Sequence, residues 1–153
     1  MNSEQLQHFK TITLDYFGKL TNAEQPPALG EAYLQFAEPV MLDYTSMIEI
    51  TGESKGCIYM TSDTRMMEEL LALHGENDIS DRTRMDMCRE LSNVLAGNAM
   101  HAFGDNWLIS VPRTIQREEV ATLSLPPSTF VMPIEWREGH SYLVIGLSNS
   151  QAA

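Results

Sequence analysis

Leu6, Phe9, Ile12 or Thr13, Tyr16, Phe17 and Leu20 recur at helical spacing, which predicts an N-terminal helix over about residues 3–20. Gly18 and Asn22 weaken its end, and Pro26-Pro27 enforces a loop. Residues 31–37 read as a short strand or irregular segment closed by Pro39. The period then changes to two. Tyr44, Ser46, Ile48 and Ile50 alternate with Thr45, Met47 and Glu49, a turn follows over Gly52 to Gly56, and Cys57 to Met60 resumes, which is the pattern of a hairpin. Ser62 to His74 returns to helical spacing, with Met66, Leu70 and Leu73 on one stripe, Met67 and Leu71 on a second, and Gly75 as the stop.

The segment from Asn77 to Asp81 supplies several capping side chains, and the helix after it is expected over about residues 82–103, ending at Gly104. At 1.5 Å per residue it would be about 33 Å long. Three strands are expected to follow at Trp107–Val111, Phe130–Trp136 and Ser141–Leu147, the last two joined by a turn over Arg137 to His140. The stretch 112–129 is long for a loop, and a short strand is expected within it around Val120–Leu125. Pro133 is expected at a bulge or an edge. Helices grouped between antiparallel hairpins predict an α+β fold, an antiparallel-rich sheet packed with long helices, in one domain spanning residues 1–153. No Gly-rich phosphate loop is present.

Composition narrows the function classes. The hydrophobic share of 43% is enough for one sizeable core. No run approaches the roughly 18 apolar residues of a membrane span, and no basic region followed by an apolar run marks a secretory signal, so no membrane insertion and a cytoplasmic location are expected. A net charge of −11 argues against nucleic acid and anionic membranes and fits a partner with a basic patch. Cys57 and Cys88 lack metal-ligand spacing and read as buried, reduced thiols; the four histidines are scattered, so no metal site is expected.

The long helix carries the informative pattern. On a wheel of about 100° per residue starting at Asp86, Glu90 falls near 40°, Asn93 near 340° and Gly97 near 20°, so the four share one stripe. Met87, Cys88, Leu91, Leu95, Ala99 and Ala102 lie roughly opposite and should face the core. An acid-and-amide stripe on a helix exterior is ordinarily a solvated face. Gly97 is the exception, because a mid-helix glycine costs up to about 1 kcal/mol relative to alanine and here faces away from the core. Close approach of another backbone would account for it. Asn98, at the edge of the core face, is expected to bond a neighbouring strand end.

The string from Glu90 to Ala99, ELSNVLAGNA, resembles the signature helix of the CheC/CheX/FliY phosphatases of bacterial chemotaxis, whose pattern is Asp/Ser-x-x-x-Glu-x-x-Asn. Asp86, Glu90 and Asn93 fill its three positions. The flanks are similar too: Lys55-Gly56-Cys57 resembles the family's Lys-Gly-rich hairpin, and Trp107 to Pro112 resembles its following strand. The resemblance covers roughly residues 30–147. Two-motif members carry a second Glu-x-x-Asn on another helix; the helix over 62–74 has Glu68-Glu69 with no Asn at the needed offset, so one motif makes the chain most similar to the CheX branch. That branch implies a homodimer joined edge to edge through its sheets.

The resemblance implies a hydrolase of two-component signalling that dephosphorylates the aspartyl phosphate of a CheY-like response regulator. Such a regulator brings its own Mg²⁺ and Lys, so no cofactor of the chain's own is expected. Hydrolysis then needs a water placed in line, and positioning dominates phosphoryl transfer. An amide can orient that water without competing as a nucleophile, which is the role expected of Asn93. The resemblance implies that Glu90 pairs with the regulator's active-site Lys. Asp86 is expected to touch the partner's rim, and Gly97 to let the helix come close. The rival readings are a non-catalytic module that binds the response regulator and a flagellar-switch adaptor.

Overall fold

In the computed structural model, which describes residues 3–21, 24–35, 38–103 and 106–149, the two sequence periods become a layer of helices on one face of a sheet. The order is helix α1 (Ser3–Thr21), short strands β1 (Ala28–Leu29) and β2 (Tyr33–Leu34), hairpin β3 (Tyr44–Gly52) and β4 (Ser54–Ser62), helices α2 (Thr64–Leu73) and α3 (Asp81–Phe103), short strands β5 (Trp107–Ile109) and β6 (Arg113–Thr114), helix α4 (Arg117–Ala121), and hairpin β7 (Phe130–Trp136) and β8 (Gly139–Asn149). Every strand pairing among the described residues is antiparallel, in the order β1-β7-β8-β4-β3-β5, with β2 on β7 and β6 on β3. The expected α+β architecture is the one observed.

Alternation along the strands splits the interior in two. Ile48, Ile50, Ile58, Met60, Leu143 and Ile145 point to the helical face, where they meet Phe9 and Phe17 of α1, Met66, Met67 and Leu70 of α2, and Leu91 and Leu95 of α3. Met47, Cys57, Tyr59, Val131 and Val144 point to the other face and meet Ile115 and Val120. Val120 therefore lies on α4, where a strand around Val120–Leu125 was expected. The second core accounts for the difference: Ile115 and Val120, with Leu123 and Leu125 packed against them, cover that face, and the short strand within 112–129 is β6 instead.

The hairpin of β3 and β4 pairs from Tyr44↔Ser62 to Ile50↔Gly56, which leaves five connecting residues, as many as the expected turn but one position earlier. β5 ends at Ile109, two residues short of the expected Val111, and β8 runs beyond the expected Ser141–Leu147 at both ends. Pro133 lies inside β7, yet its carbonyl accepts from the Gly30 N–H on the side where β1 and β2 break apart. Its missing N–H faces that break, so Pro133 sits at an effective edge. The expected stop at Gly104 and the side chain of Ala102 lie outside what the structure describes, as do residues 36 and 37 of the segment 31–37.

The long helix is set by its caps and by two hydroxyls. The Ser80 side chain accepts from the Thr83 N–H at 3.4 Å, and Asp78 accepts from the Ser80 N–H at 2.9 Å, which starts α3 at Asp81. The Tyr44 hydroxyl donates to Asp81 at 2.6 Å and accepts from Arg84 at 2.8 Å, tying that first turn to β3. Two turns later the buried Ser92 hydroxyl meets the buried Ser46 hydroxyl of β3 at 2.9 Å. With Cys88 against the Tyr44 carbonyl at 3.6 Å, this fixes the rotation of α3 about its axis. We expect Ser92→Ala to lower stability by about 1–3 kcal/mol, because the Ser46 hydroxyl loses its partner in a dry interface, and Ser46→Ala added to it to recover part of the loss. Urea unfolding of the two variants reads this; equal losses from the single and the double variant would contradict it.

Candidate functional site

Fixing α3 at Ser92 decides which residues look outward. Met87, Cys88, Leu91, Leu95, Ala96 and Ala99 are buried, and Asp86, Glu90 and Asn93 are exposed on the opposite side. The three expected site residues and Gly97 are thus brought to one stripe of one helix, and Gly97 is half-buried. A Cβ added at Gly97 would meet nothing within 4 Å. No internal packing requires glycine there, in contrast to Gly139, whose added Cβ would lie 2.4 Å from the Met66 Cα.

Two neighbours flank the stripe that the sequence reading passed over. On one side is α1. Tyr16, Ile12, Asp15 and Lys19 line a groove of about 270 Å³ with Val94 and Asn98 of α3. Asn98 is exposed in this groove, so the strand-end bond expected of it is replaced by a place facing α1. Burial first, and then the Glu90 carboxylate, push the Tyr16 hydroxyl up to about 12. No spacing within α3 could have indicated Tyr16, because the pairing of α1 with α3 is purely tertiary.

On the other side is Arg89. Its guanidinium pairs with Asp86 and donates at 2.7 Å to Thr114 of β6. Here the signal was present, since Asp86 and Arg89 are an opposite-charge pair at (i, i+3) and Arg89 stands four residues before Asn93. Asp86 is consequently engaged within the chain, whereas no hydrogen bond or ion pair occupies Glu90 or Asn93 among the described contacts.

Other candidate chemistry lies elsewhere. Burial pushes the Cys57 thiol up to about 11 and the Cys88 thiol up to about 12, so neither is a thiolate nucleophile near neutral pH. A larger hollow of about 400 Å³, lined by Met47, Glu49, Cys57, Leu123 and Leu125, opens on the opposite sheet face and shares no residue with the stripe. Among the described residues, no group of three or more His, Cys, Asp or Glu side chains is placed to hold a metal ion.

Comparison with known proteins adds an independent line. The family model described as chemotaxis phosphatase CheX matches residues 44–135, which include the whole stripe. No curated protein matches the chain. Among solved structures, a chemotaxis protein CheX from Desulfovibrio desulfuricans is similar with a TM-score of 0.75 at 18% identity, over 95% of this chain and 99% of that one. A CheX from Borrelia burgdorferi, solved as a CheX-CheY-BeF3-Mg complex, gives a TM-score of 0.70 at 16% identity, over 94% and 97% of the two chains. The FliM middle domain from Vibrio alginolyticus is less similar, with a TM-score of 0.58 at 12% identity, over 93% and 90%. At these identities the structural likenesses establish the fold alone.

The charge coupling of Tyr16 to Glu90 is open to direct titration. Followed by phenolate absorbance, Tyr16 is expected to ionise near pH 12, and Glu90→Gln to lower that midpoint while leaving it above the ordinary 10.0, because burial is the larger cause. An unmoved midpoint would separate Tyr16 from Glu90.

Proposed function

Because the chain belongs to the chemotaxis phosphatase CheX family, we propose that it hydrolyses the aspartyl phosphate of a CheY-like response regulator, with Asn93 orienting the attacking water and Glu90 docking on the regulator's active-site lysine. The observation that carries this reading is the joint exposure of Glu90 and Asn93, one turn apart on a helix of fixed rotation, beside the open backbone of Gly97.

The chemistry asks little of the protein beyond placement. The water oxygen attacks phosphorus, the bond from phosphorus to the aspartyl oxygen breaks, and inorganic phosphate and a free carboxylate result. A carboxamide accepts from that water and donates to a neighbouring oxygen, so it sets the line of attack. The Glu90 carboxylate, left without an internal partner among the described contacts, is available to an ammonium on the regulator. Mg²⁺ would arrive with the regulator and hold its phosphoryl oxygens; no residue of this chain is assigned to it. The regulator shares the cytoplasm with its phosphatase on this reading, and no helix among the described residues is long and apolar enough to cross a membrane.

We further propose a homodimer through the β5 edge of the sheet. Leu108 is 64% exposed and Val111 81% exposed there, where the ordered path of strands ends. Leu108→Lys is expected to convert a dimer to a monomer in analytical ultracentrifugation; a monomeric parent protein would remove this assembly.

The decisive assay is release of phosphate from a phosphorylated receiver domain. Asn93→Ala is expected to slow release by about a hundredfold or more while binding to the beryllofluoride-loaded receiver changes little. Glu90→Ala is expected to weaken both. A scaffold would leave the receiver's own decay unchanged or slow it, and near-full activity in Asn93→Ala would sink the assignment. Gly97→Ala separates stability from docking: it is expected to stabilise the fold by up to about 1 kcal/mol, since its methyl meets open space, and to weaken receiver binding.

A further inference from the structure

Arg89 stands at the centre of the stripe's unexplained chemistry. It is four residues before Asn93, so the two side chains leave the helix as neighbours, about 5–6 Å apart at Cβ. One end of its guanidinium is held by Thr114 of β6, itself paired to Ser46 of β3, and the other by the Asp86 carboxylate. The Arg89 and Asp86 side chains are 35% and 55% exposed, so the pair lies at the surface that a docking protein would cover.

The charges matter because of what must approach. The chain carries a net charge of −11, and the stripe alone has two carboxylates, Glu90 about one turn and Asp86 about two turns from Asn93. A phosphorylated receiver presents a phosphoryl dianion to that stripe. Glu90 has a use for its charge, because it meets an ammonium. A second bare carboxylate on the same face would repel the phosphoryl group during approach.

We propose that Arg89 is a positioning residue of this site: clamped between Thr114 and Asp86, it cancels the Asp86 charge, so that the face offered to the phosphoryl-bearing receiver carries only Glu90 beside Asn93. This rests on the phosphatase reading above. It gives Asp86 a part other than the rim contact its motif position implies: Asp86 orients the guanidinium, and the guanidinium silences Asp86.

The test measures kcat and KM for phosphate release from a phosphorylated CheY-like receiver domain, with affinity for the same receiver loaded with beryllofluoride and Mg²⁺ measured alongside. Arg89→Ala is expected to raise KM about tenfold at low ionic strength with kcat little changed, and the deficit is expected to shrink as salt is raised toward 1 M, where the screening length falls to about 3 Å. Arg89→Lys, which keeps the charge, is expected to retain most of the activity. Arg89→Ala combined with Asp86→Ala is expected to recover most of the lost kcat/KM, because the carboxylate left bare by the first change is gone. A deficit that is independent of salt, or that the second substitution does not relieve, overturns the proposal and leaves the phosphatase reading standing. A parent protein that neither releases phosphate nor binds the loaded receiver overturns that reading and this one with it.

Discussion

The geometry of the candidate site depends on a buried pair of hydroxyls. Ser92 and Ser46 are both fully buried between α3 and β3; the Ser92 hydroxyl donates to the Arg89 carbonyl at 3.0 Å, which leaves the Ser46 hydroxyl to donate to Ser92 at 2.9 Å. Leu91, Leu95 and Ala96 bury one side of α3 in the apolar core, and burial of itself is non-directional. A hydrogen bond is directional, and leaving the Ser46 hydroxyl unpaired in a buried interface is unfavourable, so this bond, together with the ties of Tyr44 to Asp81, Arg84 and Cys88, favours the observed rotation. That rotation turns Glu90 and Asn93 outward. Ser92, between them and the core, contributes no chemistry of its own, yet it decides where the neighbouring amide points.

The same constraint explains the asymmetry of the stripe. On one flank the Glu90 charge reaches Tyr16 of α1; on the other Arg89 holds Thr114 of β6. Glu90 therefore carries its charge on the side toward α1, and Asn93 stands one helical turn from the held Arg89 guanidinium. An acid and an amide on a bare helix would share one solvated environment. Here the two flanks differ, and the two proposed jobs, docking and water placement, occupy different surroundings one helical turn apart.

Much of this was legible in the sequence because it is local. The period of 3.6 placed α1 and α3 within a residue or two of their observed ends, and Phe130–Trp136 was bounded as it stands in the structure. The wheel separated Glu90 and Asn93 from Leu91 and Leu95 without knowledge of what covers the latter. Tertiary choices were not legible. Val120 reads equally as strand or helix in a short apolar run, and the second core on the far face of the sheet settled the matter. Tyr16 is an ordinary amphipathic position until α1 is laid against α3. Arg89 was visible as a helical neighbour of Asp86, but its hold on Thr114 joins residues 25 positions apart.

The central pairing of the sheet also bears on how the chain acquires its shape. β4 pairs with β8 from Ser54↔Asn149 to Ser62↔Ser141, contacts between residues some eighty to ninety-five positions apart. The hairpin of β3 and β4, with α2 and α3 following directly, is by contrast assembled from near neighbours. On a ribosome the surface bearing Glu90 and Asn93 thus emerges well before the strand that completes the sheet beneath it. Until β8 arrives, β4 is an open edge whose apolar residues Ile58 and Met60 lack their partners Ile145 and Leu143. The slow, contact-rich closure of the sheet is then the step at which a nascent chain is most exposed to wrong pairing.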